Sequence, residues 1–87
     1  MVQIKLFSIL RDLVGAKALS VSVEGSLRLD EVIAIARREN RRLDEALERL
    51  RKAGIKPIYL LNGRHVSGDA IVKEGDELAI IPPASGG

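Results

Sequence analysis

The chain has 87 residues, 46% of them apolar, with 14 Lys and Arg against 12 Asp and Glu for a net charge of +2. That is one domain, of a size that buries about 60% of the surface its unfolded chain exposes, and the interspersed charges give no basic field for nucleic acid. The absence of cysteine excludes a disulfide, a thiolate nucleophile and a thiolate metal site. No apolar run approaches the roughly 18 residues of a membrane span and no leader precedes MVQIKLF, so no membrane association and a cytoplasmic location are expected.

Val2, Ile4 and Leu6 alternate with Gln3 and Lys5, which predicts a half-buried strand over residues 2–7 with the apolar Phe7 on its polar face. Residues 8–17 read as a short helical or irregular connection, with Ile9, Leu10, Leu13 and Val14 at helical spacing and Gly15 as a stop. Leu19, Val21 and Val23 alternate with Ser20, Ser22 and Glu24 in a second strand that Glu24-Gly25 ends.

Leu29, Val32, Ile33 and Ala36 then form one apolar helical stripe, with Asp30 and Glu31 early and Arg37 and Arg38 late, as the helix dipole favours. Asn40 closes this helix or caps the next. The spacing returns in Leu43, Ala46, Leu47 and Leu50, with Glu45/Arg49 and Glu48/Lys52 as i,i+4 pairs and Gly54 as the end. The arginine-rich run 37–42 is broken by Glu39 and Asn40 and reads as solvated helix ends.

Residues 56–61 predict a third strand, and Asn62-Gly63 a tight hairpin turn into a short return strand over 64–66. Turns at Gly68-Asp69 and Glu74-Gly75-Asp76 lead to a last strand, 77–81, with Leu78 and Ile80 on one face and Ala79 and Ile81 on the other. This order specifies an α+β chain of the β-grasp, ubiquitin-like type: a mixed sheet packed on one main helix plus a shorter second helix. Residues 1–81 form the domain and residues 82–87 a flexible tail. With first and last strands as parallel neighbours, Phe7 and Ile81 lie side by side on the face away from the core. Either they form a docking patch, or Phe7 tucks under the 8–17 connection and Ile81 only ends a strand.

The sequence finishes on Pro82-Pro83-Ala84-Ser85-Gly86-Gly87. Pro82 and Pro83 hold the backbone extended and reduce the entropy lost when the tail inserts into a partner. Gly86 and Gly87, lacking Cβ atoms, suit a narrow channel and close approach of a reactive centre to the Gly87 carbonyl. Elsewhere the chain offers little chemistry. His65 is the single histidine, the serines lack a nucleophile-elbow context, and the acidic pairs have turn or helix-start explanations, so no metal site is expected.

GDELAIIPPASGG, the LLNGRHV hairpin and the opening KLFSILRDLVG together resemble the small subunit of molybdopterin synthase, the MoaD group of ubiquitin-like sulfur carriers, over essentially the whole chain. The resemblance implies that Gly87 is adenylated by an enzyme related to ubiquitin-activating enzymes, then converted to a thiocarboxylate. The tail, residues 82–86, next inserts into the large subunit of molybdopterin synthase, and the sulfur passes to the pterin precursor in molybdenum cofactor biosynthesis. It further implies a partner-binding surface containing Phe7, Arg11 and Ile81, with a further position at His65, where the family carries an apolar residue. Arg11-Asp12 stands where the family has Arg-Glu. On this reading the chain is a non-catalytic, sulfur-donating subunit that binds no cofactor, while ATP and magnesium are used by the activating enzyme. The alternative is a ubiquitin-like modifier of the archaeal small-modifier type, with Gly87 joined to lysines of target proteins. A binding-only β-grasp module is a third option.

Overall fold

Strict alternation makes the first strand: in β1 (Val2–Leu6), Val2, Ile4 and Leu6 are buried while Gln3 and Lys5 are exposed. The computed structural model describes residues 1–83. Behind β1, α1 (Ser8–Val14) buries Leu10 and Val14 and closes on Gly15 at φ 80°, whose N–H donates to the Arg11 carbonyl at 2.9 Å. A left-handed residue there is a glycine's natural place. β2 (Ala18–Val21) returns antiparallel to β1, with Val21 opposite Val2 and Leu19 opposite Ile4.

A short strand, β3 (Ser26–Arg28), leads directly into α2 (Leu29–Glu39), which buries the expected Leu29, Val32, Ile33 and Ala36. Glu31 Oε1 accepts from the Arg28 N–H at 3.0 Å and so fixes the start of α2. Asn40 serves both helices. Its N–H donates to the Ala36 carbonyl at 2.9 Å, and its Oδ1 accepts from the Leu43 N–H at 3.0 Å, capping α3 (Arg41–Lys52). The core side of α3 is Leu43, Ala46, Leu47 and Leu50.

β4 (Ile58–Leu61), β5 (Arg64–Val66), β6 (Ile71–Lys73) and β7 (Glu77–Ile81) complete the chain. The main sheet has the order β2-β1-β7-β4-β5; β7 runs parallel to β1 and antiparallel to β4. β3 and β6 form a second, two-stranded sheet with Leu27 opposite Val72. The helices cover one face of the main sheet, where Ile4, Leu78 and Ile80 share a single core cluster with Leu10, Leu29, Val32 and Leu43.

The β-grasp class therefore holds, with differences in detail. The helical layer is larger than expected: the 8–17 connection contains a true helix, and α3, at 12 residues, is longer than the 11-residue α2. The strand pair β3–β6 is new, because three-residue strands are too short for alternation to register. Strand ends also move inward. β1 stops at Leu6, β2 at Val21, and β4 starts after Pro57, which has no N–H to give to a ladder. On α3, Glu45 pairs back with Arg41, and Glu48 with Arg51 and Arg37, rather than with Arg49 and Lys52. No helix among the described residues is long and apolar enough to cross a membrane.

Candidate docking face and tail base

β7 occupies the centre of the sheet, so its two faces have different neighbours. Leu78 and Ile80 point into the core, while Glu77, Ala79 and Ile81 fall on the opposite face by the period of two. Register fixes the rows on that outer face. Lys5 stands opposite Ala79, Ala79 opposite Leu60, and Leu60 opposite His65. One row further, Ile81 stands opposite Ile58, and Phe7 follows Leu6, the partner of Ile80. Phe7, Ile58, Leu60, Ala79 and Ile81 thus compose an apolar patch across β1, β7 and β4. An ion pair of Lys5 with Glu77 borders it on the same face.

Phe7 keeps its place through its backbone. Its own φ and ψ, −128° and 155°, continue the extended course of β1, and then Ser8 turns at φ 56°, a left-handed value that strains a residue other than glycine. The abrupt turn sends α1 back over the core while leaving Phe7 outside it, 40% exposed. Phe7 does not tuck under the 8–17 connection; the side chains buried there are Leu10 and Val14. Ile81 is half-buried between its strand neighbours.

Pro82 is buried and Pro83 half-buried, so the first residues of the 82–87 segment rest against the body. Ala84, Ser85, Gly86 and Gly87 lie outside the described residues. Arg11 is exposed on α1 and joins no ion pair among the described residues. His65 is exposed on β5 at the edge of the sheet. Its cross-strand neighbour Leu60 places an apolar side chain at that end of the patch. Sequence reasoning passed over Leu60 and Ile58, although both sit on the outer parity of a strand whose turn was already placed.

The start of β7 is held just as definitely. Asp76 accepts from the Lys73 N–H at 2.9 Å and from Asn62 Nδ2 at 3.0 Å. These two bonds, the backbone one first, hold its carboxyl below the usual range.

A mixed sheet with parallel first and last strands around its helices, an apolar outer patch and a chain leaving beside that patch define a ubiquitin-like β-grasp protein. The chain belongs to the ThiS family, whose profile matches residues 4–87. Its fold is similar to that of SAMP1, the small archaeal modifier protein 1, from Haloferax volcanii, at TM-score 0.77 and 23% identity over 99% of this chain and 98% of that one. A putative molybdopterin converting factor subunit 1 from Pyrococcus furiosus matches at TM-score 0.72 and 22% identity, covering 95% and 97% of the two chains. The structure of the BexX/CysO complex of Amycolatopsis orientalis contains a chain matching at TM-score 0.71 and 26% identity over 100% of both.

Proposed function

We propose that this protein is a sulfur carrier and the small subunit of a molybdopterin synthase, with the Gly87 carboxylate as its reactive group. The observation that carries the reading is the apolar patch of Phe7, Ile58, Leu60 and Ile81 set at the point where the chain leaves the sheet. A partner seated on that patch has the tail base at its edge, and the buried Pro82 fixes the direction in which the tail starts. Membership of the ThiS family and likeness to a putative molybdopterin converting factor subunit support it.

A carboxylate is a poor electrophile. In the proposed sequence a Gly87 carboxylate oxygen attacks the α-phosphorus of ATP in the activating enzyme, and pyrophosphate leaves. Hydrosulfide supplied by a sulfur source then attacks the acyl carbon of the adenylate and AMP departs, leaving a thiocarboxylate. In the synthase large subunit the thiocarboxylate sulfur attacks an electrophilic carbon of the pterin precursor and an oxygen leaving group departs. Water then hydrolyses the acyl–sulfur bond of the resulting thioester, which regenerates the carboxylate and leaves the sulfur on the pterin. The magnesium and the catalytic groups belong to the partners. This chain contributes the docking face, the fixed tail base and a terminus without side chains.

The likeness to SAMP1 keeps a second reading in view, in which the same adenylate is captured by a lysine of a target protein to give an amide. Intact mass after incubation with ATP, magnesium, a sulfur source and the activating enzyme separates the two. Exchange of one oxygen for sulfur at Gly87 is the expected result. Adducts amide-linked to lysine would replace it by the modifier reading, and an unchanged mass with a demonstrably active enzyme would overturn both.

A further inference from the structure

We propose that a groove on the helical side of β4, between α2 and the end of α3, seats an apolar side chain followed by a carboxylate from a segment of a partner protein. Its floor is Ile33, Leu47, Ile55 and Tyr59, and Lys56 stands at its mouth. The cavity measures about 270 Å³. A second lobe of about 250 Å³ shares Ile33, Arg37 and Tyr59 with it and continues toward Leu29 and Gly68.

Size decides what kind of occupant fits. Each lobe has room for one large side chain, and neither encloses its occupant as a small-molecule site of roughly 300 to 1,000 Å³ does. Two such lobes with a common wall match successive anchors of a peptide. The tail of this chain is not the occupant, since Ala84, Ser85, Gly86 and Gly87 carry nothing large enough to fill either lobe.

Charge decides what flanks the anchor. Arg37 and Arg51 also line the groove, but Arg37 is engaged by Asp44 at 2.6 Å and by Glu48 at 3.4 Å, and Arg51 is engaged by Glu48. Lys56 joins no ion pair among the described residues, so it is the cation available to an incoming carboxylate. Burial raises the Tyr59 phenol above its ordinary pKa, in keeping with its half-buried place in the groove.

Position gives the groove a use. Tyr59 alternates with Ile58 along β4, so groove and docking patch lie on opposite sides of the same strand. A partner segment in the groove leaves Phe7 and Ile81 uncovered, and a partner gripping both would enclose the strand beside the tail base.

The test uses the whole 15N-labelled chain, titrated to millimolar concentration with acetyl-Gly-Leu-Asp-Gly-Leu-Glu-amide and with a control in which lysine replaces both acids. The inference expects saturable amide shifts centred on Ile33, Ile55, Lys56 and Tyr59 with the acidic peptide alone. Lys56→Glu, an exposed change whose spectrum reports its fold directly, should weaken binding about fivefold, the scale of a rim ion pair. Absence of shifts overturns the inference, as do shifts centred on Phe7, Leu60 and Ile81, equal binding of the lysine control, or indifference to Lys56→Glu. The readout involves no chemistry at Gly87, so it stands or falls apart from the sulfur-carrier reading.

Discussion

Asn62 and Asp76 tie the tip of the β4–β5 hairpin to the turn that launches β7. Asn62 Nδ2 donates to Asp76 Oδ1 at 3.0 Å, and Asn62 Oδ1 accepts from the Glu77 N–H at 2.9 Å. The Asn62 N–H also donates to the Glu77 carbonyl at 2.8 Å. Asn62 and Gly63 have φ of 50° and 84°, the two positive values of a type I′ hairpin turn. The side chain that tolerates the turn thus sets where the central strand begins.

Two substitutions at Asn62 should separate these roles. Asn62→Gly keeps the left-handed backbone and loses only the side-chain bonds, for a loss of about 1–2 kcal/mol. Asn62→Val loses the bonds and adds a β-branched residue at positive φ, raising the loss to about 3 kcal/mol. Urea unfolding of the pair measures both; equal losses would mean that the backbone contributes nothing.

The same clamp predicts an acid dependence. Asp76 has a folded pKa lowered from its ordinary 3.8 by the Lys73 N–H and then by Asn62. A carboxyl lowered by folding adds stability that is fully present above 3.8 and is lost as pH falls through the still lower folded value. Asp76→Asn removes that dependence. Its deficit in melting temperature against the parent should therefore be widest near neutrality and shrink as pH falls below 3.8. A deficit that stays constant with pH would show that ionisation of Asp76 plays no part.

Ser8 should gain from glycine. Its φ of 56° costs a side-chain-bearing residue about 1–2 kcal/mol, against about 0.5–1 kcal/mol of extra chain entropy for glycine. Ser8→Gly should raise stability by about 0.5 kcal/mol, whereas Ser8→Ile should lower it by about 2 kcal/mol. Thermal melts would check both signs.

What was legible in the sequence is what repeats. Alternation in Val2–Leu6, the stripe from Leu29 to Ala36 and its recurrence from Leu43 to Leu50 each span several periods, and the core they imply is the core observed. Asn62-Gly63 announces its turn because few residues accept two positive φ values in succession. β3 and β6 escaped notice since each has only one residue, Leu27 or Val72, facing inward. Placing Phe7 beside Ile81 needed parity and topology together, and both were available. Leu60 was passed over although its parity on β4 was open to reading, whereas the groove around Tyr59 depends on contacts between elements far apart in sequence.

The docking face gives the sharpest mutational contrast. Phe7 is 40% exposed and lies outside the core, so Phe7→Ala should lower stability by at most about 1 kcal/mol. If the patch receives a partner, the same truncation removes an aromatic anchor, typically worth about 2 kcal/mol or more, and weakens affinity at least about tenfold. Leu60→Ala should likewise weaken binding from β4, with His65→Ala at the rim having little effect. Ile81→Asp is a poorer probe: Ile81 is half-buried beside Ile58, and a carboxylate there disturbs the sheet as well. Calorimetric titration with the large subunit or the activating enzyme, beside thermal melts of each variant, reads both quantities. A Phe7→Ala chain that melts many degrees lower yet binds unchanged would make Phe7 a structural residue and remove the patch from the proposed function.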